Sequence, residues 1–207
     1  MKKFVSISHN KRDIFIAATA IALALSISIA YANVFVYMPI GVSIQPVSPP
    51  VKFDLGSGAG KPDLGPGNTI TVNFNASNTS LDITIHPTFR VSYYKNLSIV
   101  INTDTKAYYL YFRVETPASL PAGSVAKLCV YPAGAVRSLS GWPDPDVPSS
   151  VTCISLTSTG TSSPLTLSAG GKVEIDVYVR IPPAASVPSS TTAQLHLIYT
   201  PTAETPP

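Results

Sequence analysis

Twenty prolines, every one of them beyond Ala32, set the first limit on what this 207-residue chain can fold into. Proline removes a backbone donor and clashes with the preceding turn inside a helix. Helical periodicity is accordingly absent after Ala32. The apolar runs are instead rich in Val, Ile, Thr and Tyr and alternate with period two, as a sheet with one buried face requires. Lys172–Ile181 is the clearest run: Val173, Ile175, Val177, Val179 and Ile181 alternate with Glu174, Asp176, Tyr178 and Arg180. Eight further strands are expected at Thr69–Asn75, Leu81–His86, Phe89–Asn102, Tyr108–Thr116, Val125–Tyr131, Val151–Leu156, Leu165–Ser168 and Ala193–Thr200. Short strands separated by Pro, Gly, Ser and Asn turns predict an all-β fold, a single Greek-key-like β-sandwich over residues 68–207. A closed barrel is the alternative.

The first 32 residues have a different composition. Lys2, Lys3, Lys11 and Arg12 precede an apolar run from Ile14 to Ile29, which ends at Ala30-Tyr31-Ala32. A basic n-region, an apolar h-region and an A-x-A site describe a secretory signal peptide, residues 1–32. A retained membrane anchor is the other reading, because the run is close to the shortest that can span. No later segment qualifies. Cleavage would take four of the 14 Lys+Arg and Asp13 of the 11 Asp+Glu, leaving 10 of each and no formal net charge. No basic patch then remains to attract nucleic acid, and no acidic block to trap cations.

From Asn33 to Gln45 the even positions are Val34, Val36, Met38, Ile40, Val42 and Ile44, a strand with one apolar face. Pro46–Gly67 follows, with five prolines and five glycines, and reads as a linker able to reach about 70 Å when extended. The N-terminal strand can be the first strand of its own sandwich. On so long a tether it can equally complete the sheet of a neighbour, giving main-chain pairing and pockets for alternate side chains. Donor and acceptor surfaces differ, so such a contact is heterologous and propagates into an open filament.

Cys129 and Cys153 each lie in a predicted strand, and an even cysteine count in an exported chain predicts a disulfide between them. Three N-x-[ST] sequons, at Asn75, Asn78 and Asn96, are candidate N-glycosylation sites. Asn75 and Asn78 fall in a turn; Asn96 lies mid-strand or at a bulge, where a solvent-facing side chain is expected.

Residues with chemical capacity are few. His86 and His196 alternate with apolar neighbours and read as surface or satisfied sheet histidines rather than general bases. There is no G-x-S-x-G elbow, H-E-x-x-H or P-loop. Gly56-Ser57-Gly58-Ala59-Gly60 opens no helix and lacks the Lys-Ser/Thr of a phosphate loop. Cys153 has no His or Met at short spacing, which removes a blue-copper site. The expectation is a protein that is not an enzyme and holds no cofactor or metal. Tyr93-Tyr94 and Tyr108–Phe112 can stack on sugars, but adjacent strand residues point to opposite faces, which favours packing.

A signal peptide, an apolar strand at Asn33-Val34-Phe35-Val36-Tyr37-Met38-Pro39-Ile40-Gly41-Val42-Ser43-Ile44, a Pro/Gly linker and a sequon-bearing sandwich follow one another. This order resembles the subunits of archaeal thread filaments and related bundling pili. The resemblance covers the architecture of the whole chain and rests on no short motif. It implies an extracellular, cell-surface homopolymer in which Val34, Val36, Met38, Ile40, Val42 and Ile44 are the donor strand. It also implies N-linked glycans among Asn75, Asn78 and Asn96. No nucleic acid partner is expected, and membrane contact only through the signal before cleavage. Two other readings stay open: a type IV pilin-like subunit cut near Lys11-Arg12-Asp13 that keeps Ile14–Ile29, and a secreted carbohydrate-binding or surface-layer-associated module.

Overall fold

A computed structural model of the chain describes residues 10–31, 38–137, 151–183, 185–186 and 190–207. It comprises two compact units, residues 1–46 and 47–207. In the first, the proline-free run of Ala, Ile and Leu forms helix α1, Lys11–Tyr31. Its Ile14, Phe15, Ile16, Ile21 and Leu23 are all exposed. No helix among the described residues is long and apolar enough to cross a membrane.

The second unit is all-β. Its strands are β1 (Val51–Leu55), β2 (Thr71–Phe74), β3 (Leu81–Thr84), β4 (Arg90–Asn102), β5 (Tyr108–Thr116) and β6 (Val125–Pro132), then β7 (Thr152–Ser155), β8 (Gly160–Thr161), β9 (Leu165–Leu167), β10 (Lys172–Ile181) and β11 (Gln194–Thr200). One sheet has the order β1-β4-β10-β6-β7; a second has β11-β5-β8, with β9 also on β5; β2 and β3 form a hairpin. All pairs are antiparallel. The chain passes back and forth between the two main sheets, so β10 lies between β4 and β6, far from both in sequence.

Alternation builds the core. Val173 and Ile175 of β10 join Val100, Leu110, Phe112, Val114, Leu128 and Val130 in the main apolar cluster between the sheets. Farther along β10, Val177, Val179 and Ile181 form a second cluster with Tyr94, Leu97 and Ile70, against which Val72 and Ile83 of the hairpin pack. Cys129 and Cys153 are direct register partners on β6 and β7 and are joined by a disulfide. With a sequence separation of 24, closing that loop stabilises by about 3–4 kcal/mol in the chain-entropy account.

The structure corrects the sequence reading in three places. Pro46–Gly67 is not a free linker. Val51–Leu55 pairs with β4 from Val51↔Asn102 to Leu55↔Ser98, with Val51 buried in the core. The glycines that follow serve close approach rather than slack. A Cβ on Gly56 would stand 2.0 Å from the Asn96 carbonyl oxygen, and one on Gly58 2.3 Å from that of Lys95. The long-tether argument for strand exchange lapses with this finding, and that reading rests on the N-terminal segment itself.

The second correction concerns Asn96, whose side chain does not face solvent. Lys95, Asn96 and Leu97 stand opposite Asp176 alone, between the pairs Ile175↔Ser98 and Val177↔Tyr94. This bulge puts Asn96 at φ 47° and only 9% exposed, with its Oδ1 unpartnered. The third concerns β10, whose polar face is buried as well as its apolar one: Glu174, Asp176 and Tyr178 are all covered. Arg137, described below, lies against Glu174 and Asp176. A further strand, β8, is two residues long and was not expected.

Candidate functional site

Of the six apolar residues assigned to the N-terminal strand, Val34 and Val36 lie outside the described residues. Met38, Ile40, Val42 and Ile44 are 82, 87, 77 and 82% exposed and belong to no helix or strand. No charged residue interrupts the segment from Asn33 to Gln45. Four large apolar side chains on alternate positions, all exposed, make this segment a candidate interaction site. Pro39 cannot donate to a ladder, so any pairing here needs a gap or bulge at that position.

The sequons separate into two environments. Asn75 and Asn78 are exposed in the turn between β2 and β3. The Asn75 amide shapes that turn: its Oδ1 accepts from the N–H of Thr79 at 2.8 Å and of Ser80 at 3.3 Å, and its Nδ2 donates to Thr79 Oγ1 at 2.8 Å. Asn78 adopts φ 55°, and its carbonyl accepts from Phe53 N at 2.8 Å, tying the turn to β1. Asn96, buried in the bulge, offers no room for a sugar in the folded domain.

The strongest electrostatic feature lies on the outer face of β10, and sequence reasoning did not find it. Arg137, just past β6, has a side chain only 4% exposed. Its Nε and Nη2 donate to the two oxygens of Asp176 at 2.8 and 2.9 Å, and Nη2 also reaches Glu174 at 2.7 Å. Nη1 donates to the Ala135 carbonyl at 2.6 Å, and the guanidinium stacks 4.3 Å above the Tyr131 ring. Asp176 further accepts from Tyr93 Oη at 2.5 Å and from Asn96 N at 2.7 Å. Burial, then the bond to Asp176, pushes the Tyr93 phenol far above its usual range. Every oxygen of Asp176 is engaged, which is how a fully buried carboxylate is tolerated. The only hint in the sequence was Asp176 itself, a charge in the middle of an apolar strand.

The histidines hold structural positions. His86 Nδ1 lies 3.0 Å from Asp63 Oδ2, which also accepts the His86 N–H at 2.6 Å. His196 is exposed, with Nδ1 4.0 Å from Glu115. The adjacent tyrosines divide between faces, Tyr93 toward Asp176 and Tyr94 into the core. Tyr108 packs edge-on to Tyr199 at 5.6 Å. Among the described residues no three His, Cys, Asp or Glu side chains converge as metal ligands. A shallow apolar recess of about 310 Å³ lies beside Leu55, Ile70 and Val72, with no titratable side chain in its wall. Comparison with known proteins adds no label: no family model matches the chain, and no curated protein matches it in sequence.

Proposed function

We propose that the chain is the structural subunit of an extracellular, cell-surface filament, polymerised by insertion of its N-terminal strand into the sandwich of the next subunit. One observation carries this reading: Met38, Ile40, Val42 and Ile44 alternate along the chain and are all exposed, while the second unit forms its sheets without them. Burying four such side chains in a neighbour contributes about 1.5–3 kcal/mol each before ordering costs. Main-chain pairing adds to that gain. The resemblance to archaeal thread subunits points the same way. So does the disulfide, which fits an oxidising compartment.

Helix α1 favours a second reading, a type IV pilin-like subunit that keeps Ile14–Ile29 as a filament core, since the whole run is one continuous helix. The mature N-terminus separates the two. Cleavage after Ala32 fits strand exchange; cleavage near Arg12 fits the pilin. The deciding experiment removes residues 33–45 from the mature protein and compares sedimentation and electron microscopy with the intact chain. The intact chain should form filaments and the truncated one remain a soluble monomer. Filaments from the truncated chain would exclude strand exchange.

A further inference from the structure

Among the described residues, the β-sandwich is not closed on every side. β8 touches β7, so the second sheet, ordered β11-β5-β8, has β11 on the side of β1, the opposite edge of the first sheet. On that side the main apolar cluster is incompletely covered. Inward residues of the central strands are buried: Leu110, Phe112 and Val114 of β5, and Val173 and Ile175 of β10. Leu195, Leu197 and Tyr199 of β11, Phe53 of β1 and Leu81 of β3 pack against the same cluster yet remain half-exposed, five of the seven such residues, the others being Leu156 and Leu165. Among the described residues β11 pairs only with β5, which leaves the N–H and C=O groups of its outer edge without a strand partner there. An open edge beside a half-covered apolar core is a template for one more strand.

Resting on the filament reading above, we propose that this seam is the acceptor. Residues 38–44 of a second copy pair along the free edge of β11 and set Met38, Ile40, Val42 and Ile44 among Leu195, Leu197, Tyr199, Phe53 and Leu81. The chemistry agrees. β11 offers seven residues, about 23 Å of strand, to an apolar segment that runs in the sequence from Val34 to Ile44. The segment carries no charge that would need a partner inside the seam. The shallow recess at Leu55, Ile70 and Val72 is a poorer fit. Part of the β2 edge beside it is already occupied, because Ile70 exchanges backbone hydrogen bonds with Gly60 and Lys61.

The test places a benzophenone photo-probe on an Ile40→Cys variant of the full mature chain, co-assembled with unlabelled protein. The native cysteines are bonded to each other, so only the new thiol is labelled. Irradiation should give a dimer-sized product whose cross-linked peptides contain Gln194–Thr200, Leu81–Thr84 or Phe53. Cross-links to β7, to the recess, or within one chain overturn the seam while leaving filament formation intact. Absence of any polymer from the unlabelled protein overturns the filament reading itself, and this inference with it. A second variant guards against a probe that blocks assembly. Leu197→Asp subunits can donate but not accept, so adding them to wild type should shorten filaments at least several-fold. Leu197→Asp protein that polymerises alone as well as wild type overturns the seam.

Discussion

Asn75, Asn78 and Asn96 carry the same three-residue signal, yet their surroundings assign them different fates. Asn78 is exposed, whereas the Asn75 amide is engaged at both its oxygen and its nitrogen in holding the turn. Asn96 is enclosed by the bulge. Glycopeptide mass spectrometry on protein from its own host should therefore find sugar at Asn78 above Asn75 and none at Asn96; occupancy at Asn96 would contradict this ordering. Asp63 carries a pH signature of its own. Burial of its carboxyl, whose side chain is 1% exposed, works against ionisation. The Leu64 N–H at 2.7 Å and the His86 ring and N–H outweigh burial, so its pKa lies below the ordinary carboxylate value. A carboxylate with a lower pKa folded than unfolded gives its full stabilisation above the unfolded value, about 4. That stabilisation is lost as pH falls through the folded-state pKa. Asp63→Asn should thus flatten the acid decline of stability below about pH 4. Urea midpoints across that range check it, and an unchanged slope would remove Asp63 from this role.

At the level of the element, the segment from Ala133 to Arg137 acts as a strap that fastens the end of β6 across β10. Gly134 N donates to Glu174 at 3.0 Å while Arg137 binds both carboxylates of β10. Arg137→Met would leave Glu174 and Asp176 buried without their cation, a loss of about 3–5 kcal/mol. Chemical unfolding should show it as a large drop in midpoint, and a change below about 1 kcal/mol would mean that the carboxylates find other partners. The strap also shows where the sequence was readable and where it was not. All nine strands expected in the sandwich exist, because alternation survives wherever one face meets the core. β1 was hidden because its five residues sit between Pro49-Pro50 and a run of glycines, a composition shared by tethers. Whether such glycines give slack or close approach depends on the partner backbone, here Asn96, which is remote in sequence. The burial of Asn96 was equally invisible, since a bulge breaks the parity on which face assignments depend. Arg137 reads as an ordinary surface cation until the fold brings Glu174 and Asp176 beneath it. The candidate site was better exposed to reading: Met38, Ile40, Val42 and Ile44 were visible as an alternating run, whereas the seam proposed to receive them comes into view only once β11 and β1 are placed.

For the whole molecule, the proposed strand exchange would make stability a property of the assembly. A domain lacking residues 33–45 should melt below the polymer, and a synthetic peptide of that segment should raise its melting point with increasing concentration. Saturation to a hundred times the dissociation constant corresponds to about 2.7 kcal/mol. A melting point indifferent to the peptide would show that the domain has no vacancy for it. One small detail of β1 then acquires a mechanical meaning. In a filament under tension, force entering through residues 38–46 meets the body first at Pro50, whose carbonyl is gripped twice by Thr103, from N at 2.7 Å and from Oγ1 at 2.9 Å. Beyond that clasp lie the five register pairs of β1 with β4, the neighbour of central β10. A pull on such a filament would therefore be taken first by the bonds that hold the edge strand β1 to β4.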